Sequence, residues 1–80
     1  MGNLEKYNEI FADVFSVNES VLNEQFTRET VNGWDSIHQL NLVSYIEEVF
    51  DVMFDTDDAL ALISYLNGKE ILSSKYNISF

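Results

Sequence analysis

Gly33-Trp34-Asp35-Ser36-Ile37 carries a loop straight into the most periodic part of the chain. Beyond it Leu40, Val43, Ile46, Val49, Phe50 and Met53 recur at steps of three and four, the spacing of an amphipathic helix. That spacing predicts a helix over about residues 36–50, with Asn32-Gly33 as the turn leading into it. Ser36 then stands where a helix offers unpaired N–H groups and the positive end of its dipole, a place that tolerates a phosphate. Two roles compete for this serine. Ser36 to Gln39 reads as an S-x-x-Q capping box, which needs no function at all. Asp35, however, can cap the same helix and leave the Ser36 hydroxyl free.

Upstream of this stretch, Leu4, Tyr7, Ile10, Phe11, Val14 and Phe15 repeat at three and four, opposite Glu5, Lys6, Glu9 and Asp13. They predict a first helix of about three turns. Between Ser16 and Gly33 the periodicity fades into turn and cap formers, interrupted by Val21-Leu22, Phe26 and Val31. A connection this long is uncommon in a compact domain unless it is functional or packed by its own side chains. Val21-Leu22 and Phe26 are expected to pin it, with a short helical turn near Ser20 to Gln25. Trp34 reads either as a half-buried plug for this loop or as an exposed partner contact, and burial is the commoner fate of tryptophan.

Downstream, Asn41, Ser44, Glu47, Glu48 and Asp51 form the polar face of the central helix. Asp55-Thr56-Asp57-Asp58 is an acidic loop suited to cap a short third helix through Ala59 to Ile63. Asn67-Gly68-Lys69-Glu70 reads as a second capping box, stapled by Leu66 and Ile71. A last helix follows that buries Ile71 and Leu72. Proline is absent and no strand-like alternation occurs. The pattern predicts one all-α domain over residues 1–80, a small four-helix bundle with one short member.

Composition narrows the function. Eighty residues make a single small domain. Four basic residues against fourteen acidic ones give a net charge of -10, which argues against nucleic acid and anionic membrane surfaces, because no basic patch exists to displace counterions. Such a field favours basic protein partners. Without cysteine, disulfides, thiolate metal sites and cysteine nucleophiles are excluded. No apolar run approaches a membrane span, and no signal peptide opens the chain, so a cytoplasmic monomer is expected.

Catalytic constellations fare poorly. Ser36 and His38 are two apart on a helix and point in different directions. No G-x-S-x-G elbow is present. A calcium loop counted from Asp55 places Leu60 at the glycine position and Leu66 at the closing glutamate, so that reading fails. With one histidine, no protein-only metal site is expected.

Asp35-Ser36-Ile37 at the start of an amphipathic helix, after a long loop and before Ile46-Glu47-Glu48-Val49-Phe50, resembles the acyl carrier protein family. That family's motif is Asp-Ser-Leu, with a Glu-Glu-x-Phe ending to the same helix. The likeness covers nearly the whole chain. It implies a carrier rather than an enzyme, with phosphopantetheine attached to Ser36 through a phosphodiester by a phosphopantetheinyl transferase, and with Asp35 beside it as the capping acceptor. Acyl or aminoacyl cargo would ride as a thioester on the tip of that arm. Partner enzymes with basic patches would dock on Asp35, Ile37, Leu40, Glu47, Glu48 and Phe54. A cleft for acyl chains would draw its walls from Val43, Ile46, Phe54, Leu60 and Leu62. His38, Asn41 and Ser44 stand where fatty-acid carriers usually place acids or methionine, which argues against housekeeping fatty-acid synthesis, and Gly33-Trp34-Asp35-Ser36 resembles discrete carriers of specialised pathways. The alternative from another class is a non-covalent acidic interaction module whose Ser36 is never modified.

Overall fold

The computed structural model describes residues 2–80. Four helices follow in order: α1 (Asn3–Phe15), α2 (Ser36–Phe50), α3 (Thr56–Ala61) and α4 (Tyr65–Lys75), with a single 3-10 turn at Glu19–Val21 between α1 and α2. Among the described residues there is no strand, only one isolated bridge between Thr27 and Ser64. The molecule is a small all-helical bundle.

α1 supplies the centre of the core. Its i, i+3, i+4 set Tyr7, Ile10 and Phe11 is buried almost completely, and α1 packs chiefly on α2. Phe11 is ringed by aromatics at centroid distances of 4.8 Å (Tyr7), 5.5 Å (Tyr65), 5.9 Å (Phe15) and 6.0 Å (Phe26 and Trp34). Tilted and edge-on pairs of this kind add to plain area burial. They help eighty residues hold together without a disulfide. The Tyr7 hydroxyl, buried with them, donates to the Tyr65 carbonyl at 2.6 Å. Burial pushes the Tyr7 phenol well up, so it stays a neutral donor.

Residues 16–35 form the long connection, and its anchors are Phe26 and Trp34, with Leu22 and Val31 half-buried. Val21, expected among the anchors, is 45% exposed because it sits at the end of the 3-10 turn on the solvent side. The loop is also tied to the α3–α4 junction through its backbone. The Arg28 N–H donates to the Ile63 carbonyl at 2.8 Å, and the Tyr65 N–H to the Phe26 carbonyl at 2.9 Å.

The two short helices begin earlier than their sequence signals predict. Asp55 caps α3 through the Asp58 N–H at 2.8 Å, which draws Thr56-Asp57-Asp58 into the first turn and leaves Ile63 outside the helix. α4 starts at Tyr65. Its capping box is Ser64 with Asn67: the Ser64 hydroxyl accepts the Asn67 N–H and the Asn67 side chain accepts the Ser64 N–H, each at 2.9 Å. Asn67 is therefore the third helical residue and not the cap. Leu66 is the second helical residue and 40% exposed, so it does not stand before the cap as the expected staple with Ile71 requires. The loop–junction tie just described supplies the constraint that sets this start.

Candidate functional site

The site is assembled where the long loop feeds α2. Trp34 is only 4% exposed, wedged against Phe11, Phe15 and Phe26, so it is the plug and not an exposed contact. Its indole N–H donates to Oε1 of Gln39 at 2.5 Å. Burying the Trp34 ring fixes the chain one residue before the helix cap.

Asp35 holds the cap position in extended backbone, φ −102° and ψ −173°. Its Oδ1 accepts the His38 N–H at 2.9 Å and lies 2.8 Å from the His38 Nδ1. These hydrogen bonds, the backbone one first, hold the Asp35 carboxyl below its ordinary range. The His38 ring stacks on Phe15 at 5.7 Å, so it is committed to Asp35 and Phe15. Ser36 is the first helical residue, is exposed, and its hydroxyl has no hydrogen-bond partner among the described residues.

Gln39, expected to close a box with Ser36, does something else. It is 8% exposed and turned inward. Nε2 donates to the carbonyls of Ala59 (2.9 Å) and Leu62 (2.8 Å), while Oε1 takes the Trp34 indole. The side chain thus clamps the end of α3 to the start of α2 and satisfies carbonyls that a short helix leaves orphaned at its C-terminus. No buried side-chain nitrogen or oxygen among the described residues lacks a partner.

Ser36 opens onto a cleft of about 370 Å³ between α2 and α3, lined by Arg28, Ser36, Gln39, Leu40, Val43, Ala59 and Leu60. Of the five expected cleft walls, Val43 and Leu60 are there. Ile46, Phe54 and Leu62 are not. Ile46 and Leu62 are fully buried, and Phe54 is 8% exposed, packed on the Tyr76 ring at 5.0 Å. All three belong to the buried core instead. The same burial removes Phe54 from the expected docking surface.

The other expected docking residues lie near the cleft or along α2. Ile37 is 70% and Leu40 67% exposed, and the cleft residue Leu60 beside them is 67% exposed. Such exposure leaves an apolar face beside Ser36 that the rest of the fold does not cover. Glu48 is exposed, whereas Glu47 is half-buried and accepts the Phe54 N–H at 2.9 Å, so it braces the turn after α2. Arg28, Gln39 and Ala59 were not legible as cleft residues. The signal that singles out Arg28 is composition: it is the one arginine in the chain.

No group of three or more His, Asp or Glu side chains comes together among the described residues to hold a metal ion. No helix among them is long and apolar enough to cross a membrane. No protein-family model, curated protein or solved structure matches the chain.

Proposed function

We propose that the protein is a carrier, with the Ser36 hydroxyl as the attachment point for a phosphopantetheine arm whose thiol holds acyl or aminoacyl cargo as a thioester. The observation that carries this reading is the division of labour between Asp35 and Ser36. Asp35 performs the cap, so the exposed Ser36 hydroxyl has no structural duty, and it opens onto an apolar cleft. The residues present fit the group. The first-turn N–H groups of α2 suit a phosphate, and Asp35 keeps the cap after the hydroxyl is consumed. Leu40, Val43, Ala59 and Leu60 offer apolar walls to whatever lies alongside.

In the loading step the Ser36 Oγ bonds to the phosphorus that bears pantetheine in coenzyme A. The pyrophosphate P–O bond breaks, adenosine bisphosphate leaves, and the hydroxyl proton passes to a base of the phosphopantetheinyl transferase. Thereafter the arm supplies the thioester chemistry. The chain's own residues position and present: Ile37, Leu40 and Leu60 form an apolar contact for partner enzymes, with Asp35 and Glu48 as acidic neighbours for basic patches. The departures at His38, Asn41 and Ser44 favour a carrier for a specialised pathway.

Intact-mass measurement after incubation with a broad-range transferase and coenzyme A tests this directly. The expected result is a gain of one phosphopantetheine group, lost in Ser36→Ala. An unchanged mass beside a competent control carrier overturns it. The same exposed face, Ile37, Leu40 and Leu60, also supports the second reading, a non-covalent interaction module. That reading requires partner binding unaltered by Ser36→Ala.

A further inference from the structure

Resting on the carrier reading, we propose that Arg28 is the anion-binding wall of the Ser36 cleft, gripping an oxyanion of the substituent that Ser36 carries. The shared chemistry is a phosphodiester or carboxylate oxygen held by a guanidinium.

Three observations converge on Arg28. First, it is unspent. Lys75 is paired with Asp58 at 2.7 Å, and Lys69 lies over the Tyr65 ring at 4.7 Å. Arg28 has no carboxylate within ion-pair distance and no side-chain hydrogen bond among the described residues, in a chain with fourteen acids. Second, it is placed. The Arg28 N–H to Ile63 carbonyl bond (2.8 Å), the Tyr65 N–H to Phe26 carbonyl bond (2.9 Å) and the Thr27–Ser64 bridge hold its backbone against the α3–α4 junction. Arg28 lines both the Ser36 cleft and a neighbouring groove of about 530 Å³ bounded also by Thr27, Glu29, Ile63, Ser64 and Asn67. Third, it has no rival within the cleft. Both Gln39 amide hydrogens are committed to Ala59 and Leu62, and the remaining walls Leu40, Val43, Ala59 and Leu60 are apolar. Once the Ser36 hydroxyl is esterified, Arg28 is the one lining residue with an uncommitted side-chain donor. A planar guanidinium matches two oxyanion oxygens at once, which a lysine does not.

Because Arg28 is exposed to water, the grip is modest, worth about two- to fivefold in an equilibrium or rate. It biases the arm to lie along the cleft instead of swinging freely, and it favours cargo with a carboxylate where the arm's own phosphate is not the ligand.

The chain has a single arginine, so its Nε–Hε signal in nitrogen-15 NMR is unambiguous. The signal is followed in the apo protein, in the phosphopantetheinylated protein, and after loading with two acyl groups of equal length, one ending in methyl and one in carboxylate. Arg28→Gln and Arg28→Lys are prepared in parallel. A signal that moves on phosphopantetheinylation, with the phosphorus-31 resonance altered in Arg28→Gln and partly restored in Arg28→Lys, supports the proposal and identifies the phosphodiester. A signal that moves only with carboxylate-ended cargo, with loss of that thioester about two- to fivefold faster in Arg28→Gln and the methyl-ended one unchanged, supports it and identifies the carboxylate. A signal unmoved in every form overturns the proposal while leaving the carrier reading intact. Absence of any gain in mass with the transferase overturns the carrier reading, and the Arg28 proposal with it, by a separate readout.

Discussion

At the residue scale, adjacent side chains here have opposite obligations. Asp35 closes the α2 cap through the His38 N–H, whereas the Ser36 hydroxyl has no hydrogen-bond partner among the described residues. Ser36→Ala is therefore expected to change unfolding free energy by less than about 0.5 kcal/mol, and Asp35→Ala to destabilise clearly more, both read by urea denaturation. An equal loss at the two positions would mean that the serine is a structural cap after all. Gln39→Ala removes the clamp and leaves the Trp34 indole and two carbonyls without their partner. A cost of about 1–3 kcal/mol is expected, with a change in tryptophan fluorescence, since the chain has one tryptophan. Gly68 is a third constrained position. A methyl group there would overlap the Tyr7 hydroxyl, itself bonded to the Tyr65 carbonyl. Gly68→Ala is expected to cost about 1–3 kcal/mol by overpacking, against the gain that Ala normally brings to a helix interior.

At the scale of elements, α3 has six residues and too little face to hold itself in place. It is tied down at two points. Gln39 grips its C-terminal carbonyls, and Asp58, 3% exposed, accepts the Lys75 ammonium at 2.7 Å and the Tyr76 hydroxyl at 2.8 Å from the end of α4. The Lys75 hydrogen bond, then that of Tyr76, lowers the Asp58 carboxyl below its ordinary 3.8. A depressed folded-state value means that this contribution to stability is present above the ordinary carboxylate range and is lost as pH falls through the folded value. Thermal melts of Asp58→Asn and the parent are thus expected to differ most at neutral pH and to converge as pH drops below 3.8. A gap independent of pH would assign the effect to packing instead of charge. The cleft beside Ser36 has α3 as one wall, so this tie also sets the width of the site.

At the scale of the molecule, an aromatic core holds together a chain whose surface repels itself. Net charge -10 is spread over a compact body with a radius of gyration of 11.4 Å. The one lysine–carboxylate pair among the described residues, Lys75–Asp58, offsets little of it. Screening should relieve the strain: the melting temperature is expected to rise from low ionic strength to about 0.15 M salt, where the screening length falls to about 8 Å. A melting temperature that falls over that interval would contradict this account of the surface.

Helix existence and order were legible in the residues themselves. The three- and four-residue repeats through Tyr7, Ile10 and Phe11 and through Val43, Ile46 and Val49 depend only on local periodicity, and Asp35-Ser36 marks a helix start by local hydrogen bonding. What only the tertiary structure decided is which side of α2 faces inward. That helix is apolar on more than one side, so Ile37 and Leu40 could not be told from Leu42 and Ile46 by spacing. The polar Gln39 enters the core because the Trp34 indole and the carbonyls of Ala59 and Leu62 need its amide. Ile46, Phe54 and Leu62 became core and not cleft because the fold packs them into the apolar cluster around Phe11, away from water. Arg28 reached the cleft through backbone bonds to a segment more than thirty positions away, a pairing that no local pattern encodes because it is made by the closure of the long loop.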